Sequence, residues 1–255
     1  MSEAPYKIPA KTGWLWLKQG MVLLRQQPAA LTSLLFANVL FTLLLRAIPY
    51  LGQFIAILLI PSLSMTVMQA CLLIDHKQRV TLPVVLTGFQ KPLVFTLCKI
   101  GLAYLAVLGL LSVPGQWMIW DAVQSGAVKT IADFDSTTML VVMVSGALQT
   151  FMGVALLFAG PLASWQQMPA GKALFYSFFA VWRSARVFVV MLLAWLGLIM
   201  AASILPNLLF GQSTFGFVVM AWIGFVFILL LQCAMYAAYR QIFGVPALTA
   251  RPRAD

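Results

Sequence analysis

Apolar residues run almost without interruption through six stretches of the chain, at about residues 28–46, 51–74, 92–113, 137–163, 187–210 and 215–238, and polar residues collect between them. A hydrocarbon core about 30 Å thick takes roughly 20 apolar residues to cross as a helix. The six runs therefore predict an all-α integral membrane protein with six transmembrane helices. Pro61 falls in the middle of the second run, where its ring removes a backbone donor and predicts a kink. Ile48-Pro49-Tyr50-Leu51-Gly52 and Gly211-Gln212-Ser213-Thr214 read as tight turns, and residues 114–136 as the longest loop on that same side. Trp117 and Trp120 in that loop suit the headgroup level.

A second pattern lies between the runs. In residues 12–26, Trp14, Leu17, Met21 and Leu24 recur every three or four positions, while Lys11, Lys18 and Arg25 recur every seven. An apolar and a basic stripe on different faces predict a helix lying on the membrane surface. Residues 171–186 repeat the arrangement, with Phe175, Phe178, Phe179 and Trp182 as lipid-interface residues and Lys172, Arg183 and Arg186 away from them. A shorter amphipathic piece lies within 80–91. Each of the three precedes a pair of spans, which suggests a layout of three units, each an interfacial amphipathic helix followed by a transmembrane hairpin. Residues 12–243 are then a single membrane domain, between tails at 1–11 and 244–255 that are expected to be disordered. The polar start, with Pro5 and Pro9, does not read as a cleavable signal.

Composition agrees: 62% of residues are hydrophobic and 9% charged, against roughly 25% charged in soluble domains. The net charge of +10 raises nucleic acid as a partner, but its distribution argues against that. On the six-span topology fourteen basic residues fall on one side: Lys7, Lys11, Lys18, Arg25, Lys77, Arg79, Lys91, Lys99, Lys172, Arg183, Arg186, Arg240, Arg251 and Arg253. Only Arg46 and Lys129 fall on the other. The positive-inside rule makes the first side, with both termini, cytoplasmic. The expected surroundings are a bilayer with anionic headgroups at that face, and a membrane-protein partner rather than nucleic acid.

Chemistry is sparse. No Asp or Glu lies in any of the six runs, which argues against a proton-coupled carrier. Lys99 lies close enough to the basic side to snorkel. Cys71, Cys98 and Cys233 have no metal-ligand spacing, and no cofactor motif appears. His76 follows Asp75 at the end of the second run; neighbours on a helix point different ways, so the pair reads as interfacial rather than as an acid–base dyad. Asp133 and Asp135 read as caps of the fourth span, with cation contact as the alternative. Uncharged polar residues are more numerous in the spans, and Ser62, Ser64, Thr66 and Gln69 just past Pro61 are the candidate polar path; interhelical hydrogen bonding is the favoured reading, because spans bury their polar groups inward whatever the function. Gly146, Gly153 and Gly160 stand seven apart in the fourth span, a stripe that predicts close helix packing.

Three segments carry a resemblance: Gly13-Trp14-Leu15-Trp16-Leu17-Lys18-Gln19-Gly20, Leu174-Phe175-Tyr176-Ser177-Phe178-Phe179-Ala180-Val181-Trp182-Arg183, and Tyr236-Ala237-Ala238-Tyr239-Arg240-Gln241-Ile242-Phe243. Together they resemble an uncharacterised bacterial family of polytopic inner-membrane proteins known by a locus-tag label. The resemblance implies a location in the bacterial cytoplasmic membrane and no established activity, so it assigns no functional residues. Two functions remain in view: a non-enzymatic scaffold or accessory subunit of a membrane complex, or a carrier or channel for a small or amphiphilic solute. An enzyme is disfavoured, because no nucleophile is paired with a base.

Overall fold

A computed structural model describes residues 8–91, 93–124, 135–211 and 213–246, in which the regular structure is entirely helical. Most of both expected tails, Lys129 and Asp133 lie outside the described residues. The helices are α1 (Thr12–Gln26), α2 (Pro28–Arg46), α3 (Gly52–Leu58), α4 (Ile60–Asp75), a 3₁₀ helix (Leu82–Phe89), α5 (Leu93–Gln124), α6 (Ser136–Leu156), α7 (Ala159–Trp165), α8 (Ala170–Arg183), α9 (Ala185–Phe210) and α10 (Thr214–Phe243). Five of these spans are long and apolar enough to cross a membrane, with α6 and α7 counted together. The α3–α4 pair, bent by 43°, is the sixth when counted as one broken span.

The bend falls at Leu59, two residues before Pro61. Proline has no N–H for the carbonyl four residues back, and its ring crowds the same turn. A second break, at Leu157 and Phe158, precedes Pro161 in the same way and was not anticipated from the sequence. The two breaks meet: a Cβ on Gly160 would lie 3.5 Å from the Pro61 carbonyl oxygen. Gly101 of α5 comes so near the Leu58 carbonyl that no Cβ fits there.

Two expectations are corrected. The third span does not end at 113: α5 continues through Pro114 to Gln124, carrying Trp117 and Trp120 on helix rather than loop. It continues because α6 runs alongside, with Ser145 within 3.6 Å of where a Gly115 Cβ would be. The helix at 12–26 forms as expected, but it does not present Trp14, Leu17, Met21 and Leu24 to lipid. Its buried face is Thr12, Gly13, Trp16, Leu17, Gly20, Leu23 and Leu24, set roughly a quarter turn away at about 100° per residue, and Trp14 is exposed beneath Lys18. Backbone approach decides the rotation. A Cβ on Gly20 would lie 2.7 Å from the Ala234 nitrogen, and one on Gly13 would lie 2.8 Å from the Met191 nitrogen. Helix α1 is a strap packed on α10 and α9.

The three amphipathic segments follow one packing order. The 3₁₀ helix packs on α4, α8 packs on α6 and α7, and α1 packs on α10. The 3₁₀ helix and α8 thus lie against the second arm of the hairpin that precedes them, whereas α1 joins the chain's start to its last hairpin. The segments differ in kind, however: 15 residues of α-helix, 8 of 3₁₀ and 14 of α-helix.

The core sits at the end of the bundle where these segments gather. Phe158 packs on Phe188, Tyr239 and Phe243 at ring distances of 5.8, 5.9 and 5.8 Å, and Trp165 packs on Tyr239 at 4.8 Å. Trp16 meets Phe188 at 5.1 Å. Leu229 to Tyr239 of α10 are almost all buried, whereas Phe215, Phe217 and Val218 at its start are exposed. The hairpins α5–α6 and α9–α10 are joined within themselves, but α6 makes no extensive contact with α9 or α10.

Candidate functional site

Aromatic packing at the buried end is threaded by polar side chains from α1, α2, α4, α7 and α10, and each has a partner on another element. Asp75, at the last turn of α4, accepts from Arg240 Nη1 at 2.7 Å and from the Tyr236 hydroxyl at 3.0 Å. Arg240 also reaches Gln19 of α1 at 3.5 Å. One turn along, Trp16 Nε1 donates to Gln241 at 2.6 Å, and Gln166 donates to the Tyr239 hydroxyl at 3.3 Å. Gln27 holds the link after α4 by a two-way bridge: its amide donates to the Gln78 carbonyl at 2.7 Å and accepts from Val80 N–H at 3.1 Å. Asp75 and Arg240 form the only ion pair among the described residues, with side chains 20% and 31% exposed. Partial burial keeps it less screened than a surface pair.

The expected polar path is divided among three contacts. Asn38 of α2 donates to Thr66 Oγ1 at 3.0 Å and to the Leu63 carbonyl at 3.1 Å. Ser64 donates to Gln232 of α10 at 3.4 Å, and Trp165 donates to Gln69 at 2.8 Å. Only Ser62 Oγ is buried without a partner, and there the 3₁₀ helix brings Gly88 so close to the Ser62 backbone that no Cβ fits. These residues face α2, α10, α7 and the 3₁₀ helix in turn, so they do not line one passage. The geometry favours the hydrogen-bonding reading, at about 0.6 kcal/mol per bond on average.

The glycine stripe does not pack as expected. Nothing lies within 4 Å of a Cβ placed on Gly146 or Gly153; only Gly160 meets a neighbour. Helix α6 does pack on α5 and α8, but through other residues: Ser145 lies against Gly115, and Phe151 against Phe178 and Trp182. Gly153 contributes its carbonyl instead, accepting from Tyr104 at 3.2 Å. The close-approach pair seven apart is Gly13 and Gly20. A helix read as lying against lipid gives its glycines no packing role, so the spacing of this pair carries no signal in the sequence.

The lipid-interface residues of α8 lie as a band beside its buried face of Ala173, Ser177 and Val181. Phe175, Phe179 and Trp182 are exposed at 59, 51 and 60%, and Phe178 stacks on Trp182 and edges against Phe151. The Ser177 hydroxyl fixes this rotation by donating to the Ala155 carbonyl. His76 is exposed, its Nδ1 3.0 Å from the Leu72 carbonyl of its own helix. Asp135 caps α6 by accepting from Thr137 and Thr138 N–H, each at 3.2 Å. The bonds from Thr138 first, then Thr137, hold its carboxyl below the usual carboxylate range. Cys71 and Cys233 face each other across α4 and α10, with sulfurs 3.6 Å apart, an arrangement their sequence spacing does not reveal. Among the described residues no group of three metal-ligating side chains forms.

With this geometry established, comparison with known proteins places the chain by class. No protein-family model matches it, and no solved structure does. The chain is similar to a "Probable inner membrane protein" of Burkholderia thailandensis, with 29% identity over 252 residues that cover 94% of this chain and 93% of the relative. Together with the membrane-length apolar helices, that likeness supports a multi-pass protein of the bacterial inner membrane, in keeping with the family resemblance of its sequence.

The contacts predict a ranking of variants by thermal unfolding in detergent. Gly20→Leu drives two backbones apart and should cost about 3 kcal/mol or more. Asp75→Ala strands the Arg240 guanidinium and should cost about 2 kcal/mol. Gly153→Leu enters open space and should fall within about 0.5 kcal/mol of the parent. A larger loss for Gly153→Leu than for Asp75→Ala would show that the glycine stripe of α6 is packed after all.

Proposed function

We propose that the protein is a non-enzymatic scaffold or accessory subunit of a membrane complex, with a fixed core at one end and splayed hairpins at the other. The observation that carries this reading is how the spans divide. Their polar side chains are engaged with one another at the buried end. At the opposite end Leu110, Leu208 and Phe217 stand 74, 78 and 76% exposed, with the α5–α6 and α9–α10 hairpins apart from each other. Lipid accommodates such faces, and so does a helix of a partner. A carrier needs uncommitted polar groups along a passage, and three of the four candidates here, Ser64, Thr66 and Gln69, are bonded across helix pairs, with Ser62 enclosed against the 3₁₀ helix. An enzyme needs a nucleophile beside a base; the hydrogen bond of His76 is to Leu72 of its own helix, and Asp75 is held by Arg240.

In-cell photo-crosslinking tests the scaffold. A benzophenone side chain at Phe217 or Leu208 should give a discrete protein adduct, while one at exposed Leu86 of the 3₁₀ helix should not. Adducts with lipid alone at all three positions would remove the support for a protein partner.

We also infer that the buried, basic end faces the cytoplasm, from the fourteen-to-two distribution of Lys and Arg. In a chain with its three cysteines replaced, Tyr50→Cys, at a side chain 90% exposed in the outer turn, should react with a membrane-impermeant maleimide in spheroplasts. Gln78→Cys should react only after permeabilisation. The reverse pattern would invert the topology.

A further inference from the structure

Where α8 gives way to α9, the chain turns at Ser184 and leaves a groove of about 1220 Å³ against the end of α10. That exceeds the roughly 300–1,000 Å³ typical of small-ligand pockets, and it suits a long molecule better than a compact one. Its lining divides by chemistry. Phe151, Phe179 and Trp182 supply an apolar stretch continuous with the exposed aromatic band of α8; Arg183, Arg186 and Gln241 supply polar groups. Among the described residues no Asp or Glu lines it.

The two arginines are the telling feature. Both are exposed, and among the described residues neither takes part in an ion pair. A guanidinium is a planar fork that matches phosphate with two parallel hydrogen bonds, and it is less strongly hydrated than an ammonium. Two forks three residues apart, across a helix break and beside Tyr176 and Trp182, combine phosphate recognition with rings that favour the headgroup level. Basic pockets at the membrane-facing ends of helices hold anionic lipid headgroups by this chemistry.

We propose that this groove is a binding site for an anionic phospholipid: Arg183 and Arg186 take the phosphate, and an acyl chain lies along Phe151, Phe179 and Trp182. A soluble phosphate would use the same forks but leave the aromatic stretch uncovered, so the groove's length selects the lipid. The site stands independently of the scaffold reading, since it requires only that α8 lie at the membrane interface.

The test is native mass spectrometry of the full chain in detergent, titrated with phosphatidylglycerol and, separately, with phosphatidylcholine. The parent should retain phosphatidylglycerol in preference to phosphatidylcholine, and R183Q/R186Q should weaken that retention about tenfold or more. R25Q/K77Q removes the same charge from exposed positions outside the groove and should leave it within about twofold. Phe179→Ala should weaken both lipids, and millimolar inorganic phosphate should displace neither. Unchanged retention in R183Q/R186Q, or an equal loss in R25Q/K77Q, would overturn the site in favour of diffuse attraction. Displacement by phosphate would overturn the lipid as its ligand. Both arginines are surface side chains, and an unaltered melting temperature of R183Q/R186Q confirms that the comparison is between folded proteins.

Discussion

The close approach of α1 to α10 and α9 is the constraint on which the remaining architecture rests. Glycines at 13 and 20 let two backbones come nearer than any side chain permits, and that contact brings Trp16 onto Phe188 and Gln241. Once there, Gln19 lies beside Arg240, which in turn holds Asp75 at the end of α4. The first helix of the chain therefore joins the last hairpin to the first one. In a bilayer, where lipid tails offer no hydrophobic drive for helices to associate, close packing and interhelical hydrogen bonds are what remain to do this.

The same reasoning explains why the bundle is tight at one end and open at the other. Tryptophan, tyrosine, glutamine and the Asp75–Arg240 pair cluster at the buried end, where each polar tip finds a partner and each ring finds a ring. Beyond Leu229 toward the start of α10, and beyond Met191 along α9, side chains are mainly Leu, Ile, Phe and Val. Such residues pack on lipid as well as on protein, so nothing pulls the hairpins together there. The proline breaks at 57–61 and 157–161 belong to the tight half: each turns a span so that its inner segment, α4 or α7, enters the aromatic core.

Much of this was legible from hydrophobic periodicity. The six runs, the Pro61 bend, the helices at 12–26 and 171–186 and the Asp135 cap all reside in local patterns of one segment. What the sequence concealed depends on pairs far apart. Asp75 with Arg240, Cys71 with Cys233, and Gly20 with Ala234 join positions more than 160 residues distant, and no local spacing marks them. The face of α1 was misread for the same reason: an apolar stripe signals burial but not what covers it, and Trp14 was counted where Trp16 and Leu23 are the buried residues. The glycines of α6 were misread in the opposite sense. Their spacing is regular, but α6 meets its neighbours through Ser145 and Phe151, and a Cβ at Gly146 or Gly153 would meet open space.

Reactivity along α1 tests the central claim most directly. In a chain lacking its native cysteines, Val22→Cys lies on the face of Lys18 and Arg25, whereas Leu23→Cys lies against α10 in this account and away from the Trp14, Leu17, Met21 and Leu24 stripe of a surface helix. Maleimide modification of the two variants in detergent should be fast at residue 22 and slower by at least about tenfold at residue 23, since exposure of Leu23 requires local opening. Equal rates at the two positions would mean that α1 rests on the membrane surface, and that the bundle is not closed by it.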